Sequence, residues 1–353
     1  TLTDSGSKEY YFQSVNTNDL RFYGSAYYGT IDNISIVEVT DATNIPRIDY
    51  TTGEGVVLLE PQSTNLITYS EDFSNASWFI GDSATVSSAT FVSPSGENNA
   101  SLIDLSANTD SRVVLNFGNS STEYTFSVYL KKHESDSNGT FPLAYYDGSN
   151  YIKTYVNLTD KWERFNLTFT NPSGSTFGYG LSRRGTTSDE TLTRCYAYGA
   201  QLEALPYSTS YIPTEGAIAT RLADSVTGAG DATTFNSTEG VLYFEAERLS
   251  LLGDKRTISI SDGSLNNQLF VQFQGVSNSI RILYKSVENG QVLLLNHFLA
   301  SSVVEFGKYA FRWSDNNFSL WINGVKELEQ LSGGVTSSNV FNQSDFSLSN
   351  GAD

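Results

Sequence analysis

The chain has 353 residues, of which 39% are hydrophobic and only 17% are charged, and it contains 21 Tyr and 21 Phe. A polar but largely uncharged surface around an aromatic interior is typical of an all-β protein, and this length allows two or three domains. The formal net charge of −18 argues against nucleic acid and against an anionic membrane as partners, because their phosphates would repel the protein.

Three scarce residue types narrow the class of protein further. A single cysteine, Cys195, excludes an intrachain disulfide, and its strand-like surroundings predict a small buried residue. The two histidines, His133 and His297, lie too far apart in sequence to suggest a histidine-based metal site. There is no Met, no signal peptide and no apolar run long enough to cross a membrane, so we expect a piece of a longer protein without membrane insertion.

Alternation of apolar and polar residues dominates the sequence, and no window keeps helical spacing with caps. The stretch "YTFSVYLKK" (124–132) places Tyr124, Phe126, Val128 and Leu130 on one face. The stretch "WERFNLTFT" (162–170) places Phe165, Leu167 and Phe169 on one face, and "KYAFRWSDNNFSLWING" (308–324) predicts a hairpin. Strands of this length between Gly, Asn, Ser and Asp turns predict serial β-sandwich, or jelly-roll, domains.

Two similar tracts mark the predicted boundaries. In both, an apolar strand is followed by a proline-containing segment, a Thr-Glu-Gly or Thr-Gly-Glu-Gly sequence and a new strand that begins with Gly. We expect these linkers to be extended and free of ladder hydrogen bonds, and the first one to pack on both neighbours and stiffen the array. The predicted parts are a C-terminal remnant of a β-sandwich at 1–45, a junction at 46–64, a complete sandwich at 65–205, a linker at 206–224 and a sandwich at 225–353 that is incomplete at its C-terminus.

The two tracts carry a family resemblance. "PRIDYTTGEGVVLLEPQSTNLITYSEDFSNASW" (46–78) and "YAYGAQLEALPYSTSYIPTEGAIATRLAD" (196–224) resemble segments of structural proteins of tailed bacteriophages, where they flank jelly rolls similar to carbohydrate-binding modules. The region from about 238 onward, with its "YAFRWSDNNFSLWINGV" hairpin, resembles concanavalin A-like, or laminin G-like, jelly rolls. The stretch "GTIDNISIVEV" (29–39) looks like the closing strand of a further binding module.

The resemblance implies a virion protein: a tail fibre, tail spike or head fibre that acts as a spacer and as a host-attachment adhesin. Other virion proteins and host cell-surface polysaccharide are then the expected partners. By analogy with such fibres we also expect a homotrimer, although no coiled-coil or collagen repeat supports it in the sequence. Two alternatives stay open: a secreted or surface multimodular polysaccharide-binding adhesin of a bacterium, and accessory modules of a glycan-degrading enzyme.

One loop combines the residue types that recognise sugars. Carbohydrate platforms use the flat faces of exposed aromatic rings, together with polar side chains that form hydrogen bonds. The stretch "AYYDGSNYIKTY" (144–155) places three Tyr and two polar side chains at a turn. The candidate carbohydrate-binding residues are Tyr145, Tyr146, Asp147, Asn150 and Tyr151. The four tryptophans, Trp78, Trp162, Trp313 and Trp321, are expected in the cores.

The resemblance also implies a structural calcium ion, which modules of this kind often hold between their first and last strands. Glu71 and Asp72 match the position of the family's first-strand ligand. The closing strand offers Gln201 and Glu203, where the family usually has Asp. The candidate calcium ligands are therefore Glu71, Asp72 and Gln201.

We expect no catalytic centre in this chain. No nucleophile elbow, phosphate-binding loop or zinc motif is present. Glu245 and Glu247 share one face of a strand, but their surroundings predict ordinary solvated carboxylates rather than the pair of a glycosidase. Arg183 and Arg184 precede Gly185 in a polar loop, where contact with an acidic sugar is the alternative to simple solvation.

Overall fold

The computed structural model describes residues 47–50, 53–117, 123–170, 177–185, 189–247, 255–274, 279–287, 290–298, 306–337 and 340–347. All described residues belong to one compact unit, Thr43–Asp353. The predicted sandwich remnant at 1–45 lies outside the described residues.

The described residues form strands and no helix, which confirms the predicted all-β fold of serial β-sandwiches. No helical segment among them has the length and hydrophobicity that a membrane crossing requires. The strands are β1 (Arg47–Asp49), β2 (Val56–Leu58), β3 (Ser63–Asn65), β4 (Phe79–Gly81), β5 (Thr85–Phe91), β6 (Ala100–Asp104), β7 (Arg112–Phe117), β8 (Glu123–Lys132), β9 (Gly139–Tyr146), β10 (Tyr151–Leu158), β11 (Glu163–Thr170), β12 (Phe177–Ser182), β13 (Arg194–Glu203), β14 (Ala219–Arg221), β15 (Val226–Ala229), β16 (Gly240–Ala246), β17 (Arg256–Ser261), β18 (Asn267–Phe273), β19 (Ser279–Ser286), β20 (Gln291–Phe298), β21 (Gly307–Ser314), β22 (Asn317–Ile322), β23 (Val325–Gln330) and β24 (Gln343–Ser347).

The first sandwich consists of two five-stranded antiparallel sheets, with strand orders β10-β9-β12-β7-β4 and β11-β8-β13-β6-β5. Their facing sides enclose one apolar core. Period-two alternation assigns the side chains to that core, as the sequence predicts: Phe126, Val128 and Leu130 of β8 are fully buried. Leu167 and Phe169 of β11 close the core from the neighbouring strand.

The second sandwich consists of a six-stranded sheet, β15-β24-β17-β18-β19-β20, and a four-stranded sheet, β16-β21-β22-β23, with a separate core between them. The predicted hairpin at 308–324 is present as β21 and β22. Asn316 occupies its turn with a φ of 56°, a left-handed conformation that Asn tolerates better than most residues. The exact limits of the predicted domains remain a prediction, as does the incompleteness of the second sandwich.

The tryptophan predictions are half correct. Trp78 and Trp313 are buried in the two cores, with exposed fractions of 3% and 4%. Trp162 is half-buried outside the core, where its indole N–H donates to the carbonyl of Val92 over 3.2 Å. Trp321 is half-buried on β22 and faces Ala310 across the ladder, on the side of that strand opposite the fully buried Leu320. Alternation alone could not tell which face of each strand would be covered.

The segments before and after the first sandwich form ladder hydrogen bonds, contrary to the prediction that the linkers are free of them. β1 pairs with β2, and β3 pairs with β14 across more than 150 residues of sequence. The second pairing continues to an isolated bridge between Tyr69 and Glu215. Segment 63–70 is also bonded to β13, because the Leu66 N–H donates to Leu202 and the Ala200 N–H donates to Ser70. The chain therefore enters and leaves the first sandwich at adjacent positions.

A buried carboxylate holds this paired junction together. Glu60 is 3% exposed, and it accepts hydrogen bonds from Arg47 (2.8 Å) and from the Ser210 N–H (2.8 Å). Arg221 forms a second ion pair with it at 3.0 Å. Two further hydrogen bonds join the backbone of Glu60 to Asp224. The Glu60 N–H donates to the Asp224 carboxylate (2.7 Å), and the Asp224 N–H donates to the Glu60 carbonyl (2.9 Å). Charged groups from both junction segments thus pair around one buried carboxylate.

We predict that Glu60→Gln destabilises the first sandwich by about 2 kcal/mol. Removing one member of a buried ion pair leaves its partners uncompensated, although Arg47 keeps Asp224 and is partly exposed. Urea unfolding followed by tryptophan fluorescence would measure the change. The matched control is Glu97→Gln in an exposed loop, which should change stability by less than about 0.5 kcal/mol. Equal stabilities of the two variants would contradict a structural role for Glu60.

Candidate functional site

The predicted sugar-binding loop is the turn of the β9–β10 hairpin, in which Tyr146 and Tyr151 face each other in register. The Asp147 carboxylate accepts hydrogen bonds from the backbone N–H groups of Ser149 (2.8 Å) and Asn150 (2.7 Å). The Asp147 N–H in turn donates to the Asn150 carbonyl over 3.0 Å. An Asp that bonds its own turn in this way fixes the positions of the flanking tyrosines.

The structure separates Tyr145 from the other candidate residues. Tyr145 points toward the core of the sandwich, where its ring stacks on Phe169 with centroids 4.9 Å apart and an interplanar angle of 12°. Tyr146 and Tyr151 lie on the opposite, outer face of the sheet, with their ring centroids 5.2 Å apart. Tyr145 is therefore a packing residue in this structure, whereas Tyr146 and Tyr151 form an aromatic pair at the surface.

Three further residues surround Tyr151 on the outer face. The guanidinium of Arg184 lies 5.4 Å from the Tyr151 ring centroid, and that of Arg112 lies 6.0 Å from it. Arg112 also lies over the ring of Phe79 at 4.9 Å, and Phe79 is 45% exposed. Cation–π contacts of this kind orient aromatic rings and guanidinium groups relative to one another. We call the set of Phe79, Arg112, Tyr146, Tyr151 and Arg184 the Tyr151 surface.

Small residues beneath Tyr151 give its ring room to extend across the sheet. Ala144 of β9 is opposite Gly180 of β12, and the neighbouring Gly178 lies directly below the phenol. A Cβ atom on Gly178 would lie 3.3 Å from the Tyr151 hydroxyl oxygen, so any side chain there would push against the tyrosine. The sequence thus creates a shallow floor of small residues between the edge strand β10 and Arg112 on β7.

Gly185 brings the arginine loop down onto Tyr151. Its φ of +142° is strained for any residue with a side chain, and a Cβ atom would lie 3.0 Å from the Tyr151 carbonyl oxygen. The preceding Arg184 is exposed, and its backbone N–H donates to the Ser182 hydroxyl over 3.1 Å. The glycine predicted to end a polar loop therefore has a positioning role.

The two adjacent arginines of this loop face opposite ways. Arg183 bonds to Glu190 over 3.1 Å, and Lys153 lies 3.5 Å from the same carboxylate. The side chains of Lys153 and Glu190 are only 1% and 2% exposed. Burial opposes ionisation of Glu190, but its backbone hydrogen bond and Arg183 hold its pKa below the usual range. This buried ionic cluster anchors the loop, and Arg184 is left on the solvent side.

The three predicted calcium ligands do not form one ligand set in the structure. Gln201 is completely buried, and its amide is used by the backbone: its oxygen accepts from the Ile212 N–H at 2.7 Å, and its nitrogen donates to Thr209 and Ser210. Within the described ranges, no group of three or more His, Cys, Asp or Glu side chains could hold a metal ion. Gln201 therefore satisfies backbone groups rather than a cation.

Glu71 and Asp72 line a cleft of about 530 Å³ near the paired junction. The Glu71 carboxylate accepts hydrogen bonds from Asn99 (2.9 Å), Tyr198 (3.0 Å) and Tyr211 (3.2 Å). Asp72 accepts from the backbone and side chain of Ser74. Both carboxylates already serve local packing, and calcium at this cleft remains a prediction.

The groups considered for catalysis or reactivity lie in ordinary surroundings. Glu245 accepts a hydrogen bond from the exposed Tyr243 and lies 3.6 Å from Lys308. Glu247 is exposed beyond the end of the strand. Cys195 is completely buried, and burial raises the pKa of its thiol well above the usual value, which favours the unreactive protonated form.

Sequence reasoning missed Phe79 and Arg112 and weighed Arg184 only as a loop residue. A signal was present for the first two, because Trp78 and Val113 are core residues and alternation turns their neighbours outward. The pairing that brings β4 and β7 into one sheet with β9 and β10 joins strands that are distant in sequence. No local pattern contains that information.

The sequence and the structure were compared with those of known proteins. No family model matches the sequence, and no curated protein matches it either. One similar solved structure is that of domains LG4-5 of the mouse laminin alpha1 chain, with 10% identity and a TM-score of 0.24 over 70% of this chain and 80% of that one. Another is the N-terminal tandem CBM22 domain of Paenibacillus barcinonensis Xyn10C, with 11% identity and a TM-score of 0.34 over 81% of this chain and 96% of that one. The β-sandwich fold is established by the facing sheets of this chain.

We predict that the Asp147 turn is preserved in Asp147→Asn and loosened in Asp147→Ala, because only the first variant keeps the side-chain acceptor. Amide hydrogen exchange at Ser149 and Asn150 should accelerate several-fold in the alanine variant alone. The N–H groups of Asn150 and Ser149 lower the pKa of Asp147. Their contribution is therefore present above the ordinary value of about 3.9 and is lost only as the pH falls through the lower folded value. A carboxyl titration by NMR with its midpoint at or above the ordinary value would contradict this arrangement.

Proposed function

We propose that this chain is a non-catalytic structural component of a tailed-phage virion appendage, which acts as a spacer and as an adhesin for host cell-surface polysaccharide. The observation that carries the adhesin part is the pair of Tyr146 and Tyr151 on the outer face of the first sandwich, beside Phe79 and two arginines. The virion part depends on the resemblance of residues 46–222 to phage structural proteins.

The chemistry of the Tyr151 surface suits a sugar ring. A pyranose has an apolar face of C–H groups, which packs on a flat aromatic ring, and a rim of hydroxyl groups, which need polar partners. Tyr146 and Tyr151 supply aromatic surface at the end of a hairpin. Asn150 is exposed at the turn between them and can supply a donor and an acceptor. A loop held by a rigid sheet is also a common place for a binding site.

The spacer part is supported by the paired junction. The ladder between β3 and β14 and the ion pairs of Glu60 with Arg47 and Arg221 replace a flexible linker with fixed structure. A stiff connection transmits position along an appendage better than a flexible one. It also keeps the Tyr151 surface in a defined orientation with respect to the junction.

Assembly is part of the same proposal. We expect a homotrimer that contacts other virion proteins and lies on the extracellular surface of the particle. Light scattering on the purified chain would report the number of copies, and immunogold electron microscopy of particles would report the location. Gold on the bacterial surface and not on particles would favour the alternative, a multimodular bacterial adhesin.

We predict that Tyr151→Ala and Tyr146→Ala each weaken polysaccharide binding about tenfold while the fold stays intact. The loss of one stacked aromatic ring corresponds to roughly 1.4 kcal/mol. Tyr151→Phe keeps the ring and should bind within about twofold of the original protein. Binding to a panel of purified bacterial surface polysaccharides would be measured by calorimetry, and folding by circular dichroism.

The matched control is Tyr243→Ala, which removes a tyrosine that is 55% exposed on the second sandwich. It should leave binding unchanged. If both hairpin variants bound as tightly as the control, the Tyr151 surface would not be the glycan site. If both failed to fold, Tyr146 and Tyr151 would be packing residues instead.

A further inference from the structure

We propose that the Tyr151 surface selects an acidic polysaccharide, with Arg184 pairing to a sugar carboxylate. This inference rests on the proposed glycan binding and adds the chemical class of the ligand. A uronic or sialic acid carries its carboxylate at the edge of the sugar ring. A guanidinium next to an aromatic platform can therefore reach the carboxylate while the ring stacks.

The net charge of the protein restricts where an anionic ligand can bind. With 39 acidic and 21 basic residues, the chain as a whole repels anions. An acidic glycan would bind only where a basic group is both exposed and uncompensated. Half of the ten arginines in the described ranges are already neutralised. Ion pairs with carboxylates are formed by Arg47, Arg112, Arg183, Arg194 and Arg221.

Arg184 differs from these residues. It is exposed, and it forms no ion pair within the described part of the chain. Its guanidinium lies over one face of the Tyr151 ring, 5.4 Å from the ring centroid, so the cation is held against the proposed sugar platform rather than free in solution. A planar guanidinium presents paired N–H donors that match the two oxygens of a carboxylate.

The other charges near Tyr151 leave Arg184 as the anion receptor. The side chain of Arg112 is 12% exposed and is neutralised by Asp82, so it orients Phe79 and Tyr151 instead. Asp147 on the hairpin is negative, but its carboxylate accepts the N–H groups of its own turn. Lys153 is buried against Glu190.

The position of Arg184 is built into the backbone. Gly185 has a φ of +142°, a conformation that residues with a side chain rarely adopt, and a Cβ atom there would crowd the Tyr151 carbonyl oxygen at 3.0 Å. The buried Arg183–Glu190 pair fixes the residue on the other side. A cation held between two such constraints loses less conformational freedom when it binds than a lysine on a mobile loop does.

The experiment uses the full chain with polygalacturonate, hyaluronan and polysialic acid, each also tested after chemical reduction of its carboxyl groups to alcohols. The reduced polymers keep their backbones and lose their charge. We expect the original protein to bind at least one acidic polymer at least tenfold more tightly than its reduced form. Raising the salt concentration should narrow this difference, because the contact is exposed.

Arg184→Gln tests the residue itself. It should lose about tenfold in affinity for the acidic polymer and change little toward the reduced one. Lys161→Gln is the matched control, because it removes one exposed positive charge from the same sandwich beyond the far end of β10, roughly 25 Å from Tyr151. Its binding should equal that of the original protein.

The outcomes separate this inference from the proposed function. Equal binding of acidic and reduced polymers, lost in Tyr151→Ala, would overturn the acidic specificity and leave a neutral-glycan adhesin. Acidic specificity that is unchanged in Arg184→Gln would overturn the role of Arg184. The absence of binding to these polymers and to the wider polysaccharide panel would overturn both proposals.

Discussion

The buried carboxylate of Glu60 is the interaction on which the arrangement of this protein depends. It joins two segments that lie before and after the first sandwich, through Arg47, Arg221 and the backbone of Ser210. Charged groups are removed from water only where partners from both segments converge, so the network specifies one pairing and disfavours others. The chain consequently enters and leaves the first sandwich side by side.

The candidate site lies on the sheet of the first sandwich that does not contain β13. The junction and the strand β13 hold one side of the sandwich, whereas the β9–β10 hairpin and the loop around Gly185 border the outer face of the β10-β9-β12-β7-β4 sheet. Core-facing residues such as Leu143 and Tyr145 fix the strands. The alternating positions are then free to carry Tyr146 and Tyr151. A rigid scaffold below and fixed loops above are what selective recognition of a sugar requires.

Much of the fold could be predicted from the sequence, because the core-facing residues of a β-sandwich recur at every second position along each strand. The faces of β8 and β11, the hairpin at Asn316 and the turn at Asp147 followed from local residues. The pairing of Glu60 with residues 150 to 164 positions later did not, since register between distant strands leaves no local trace. The same limit concealed that Phe79 and Arg112 share a sheet with the β9–β10 hairpin. The sequence also could not show that Tyr145 packs on Phe169, because both faces of its strand carry tyrosine.

The most direct test of glycan binding at the Tyr151 surface is hydrogen–deuterium exchange on the full chain, with and without the polysaccharide that binds it most tightly. We predict that bound polysaccharide slows exchange in peptides covering the Asp147 turn and the Arg184 loop, with little change in the second sandwich. Protection confined to the second sandwich, or to the cleft lined by Tyr69, Glu71 and Glu215, would contradict it.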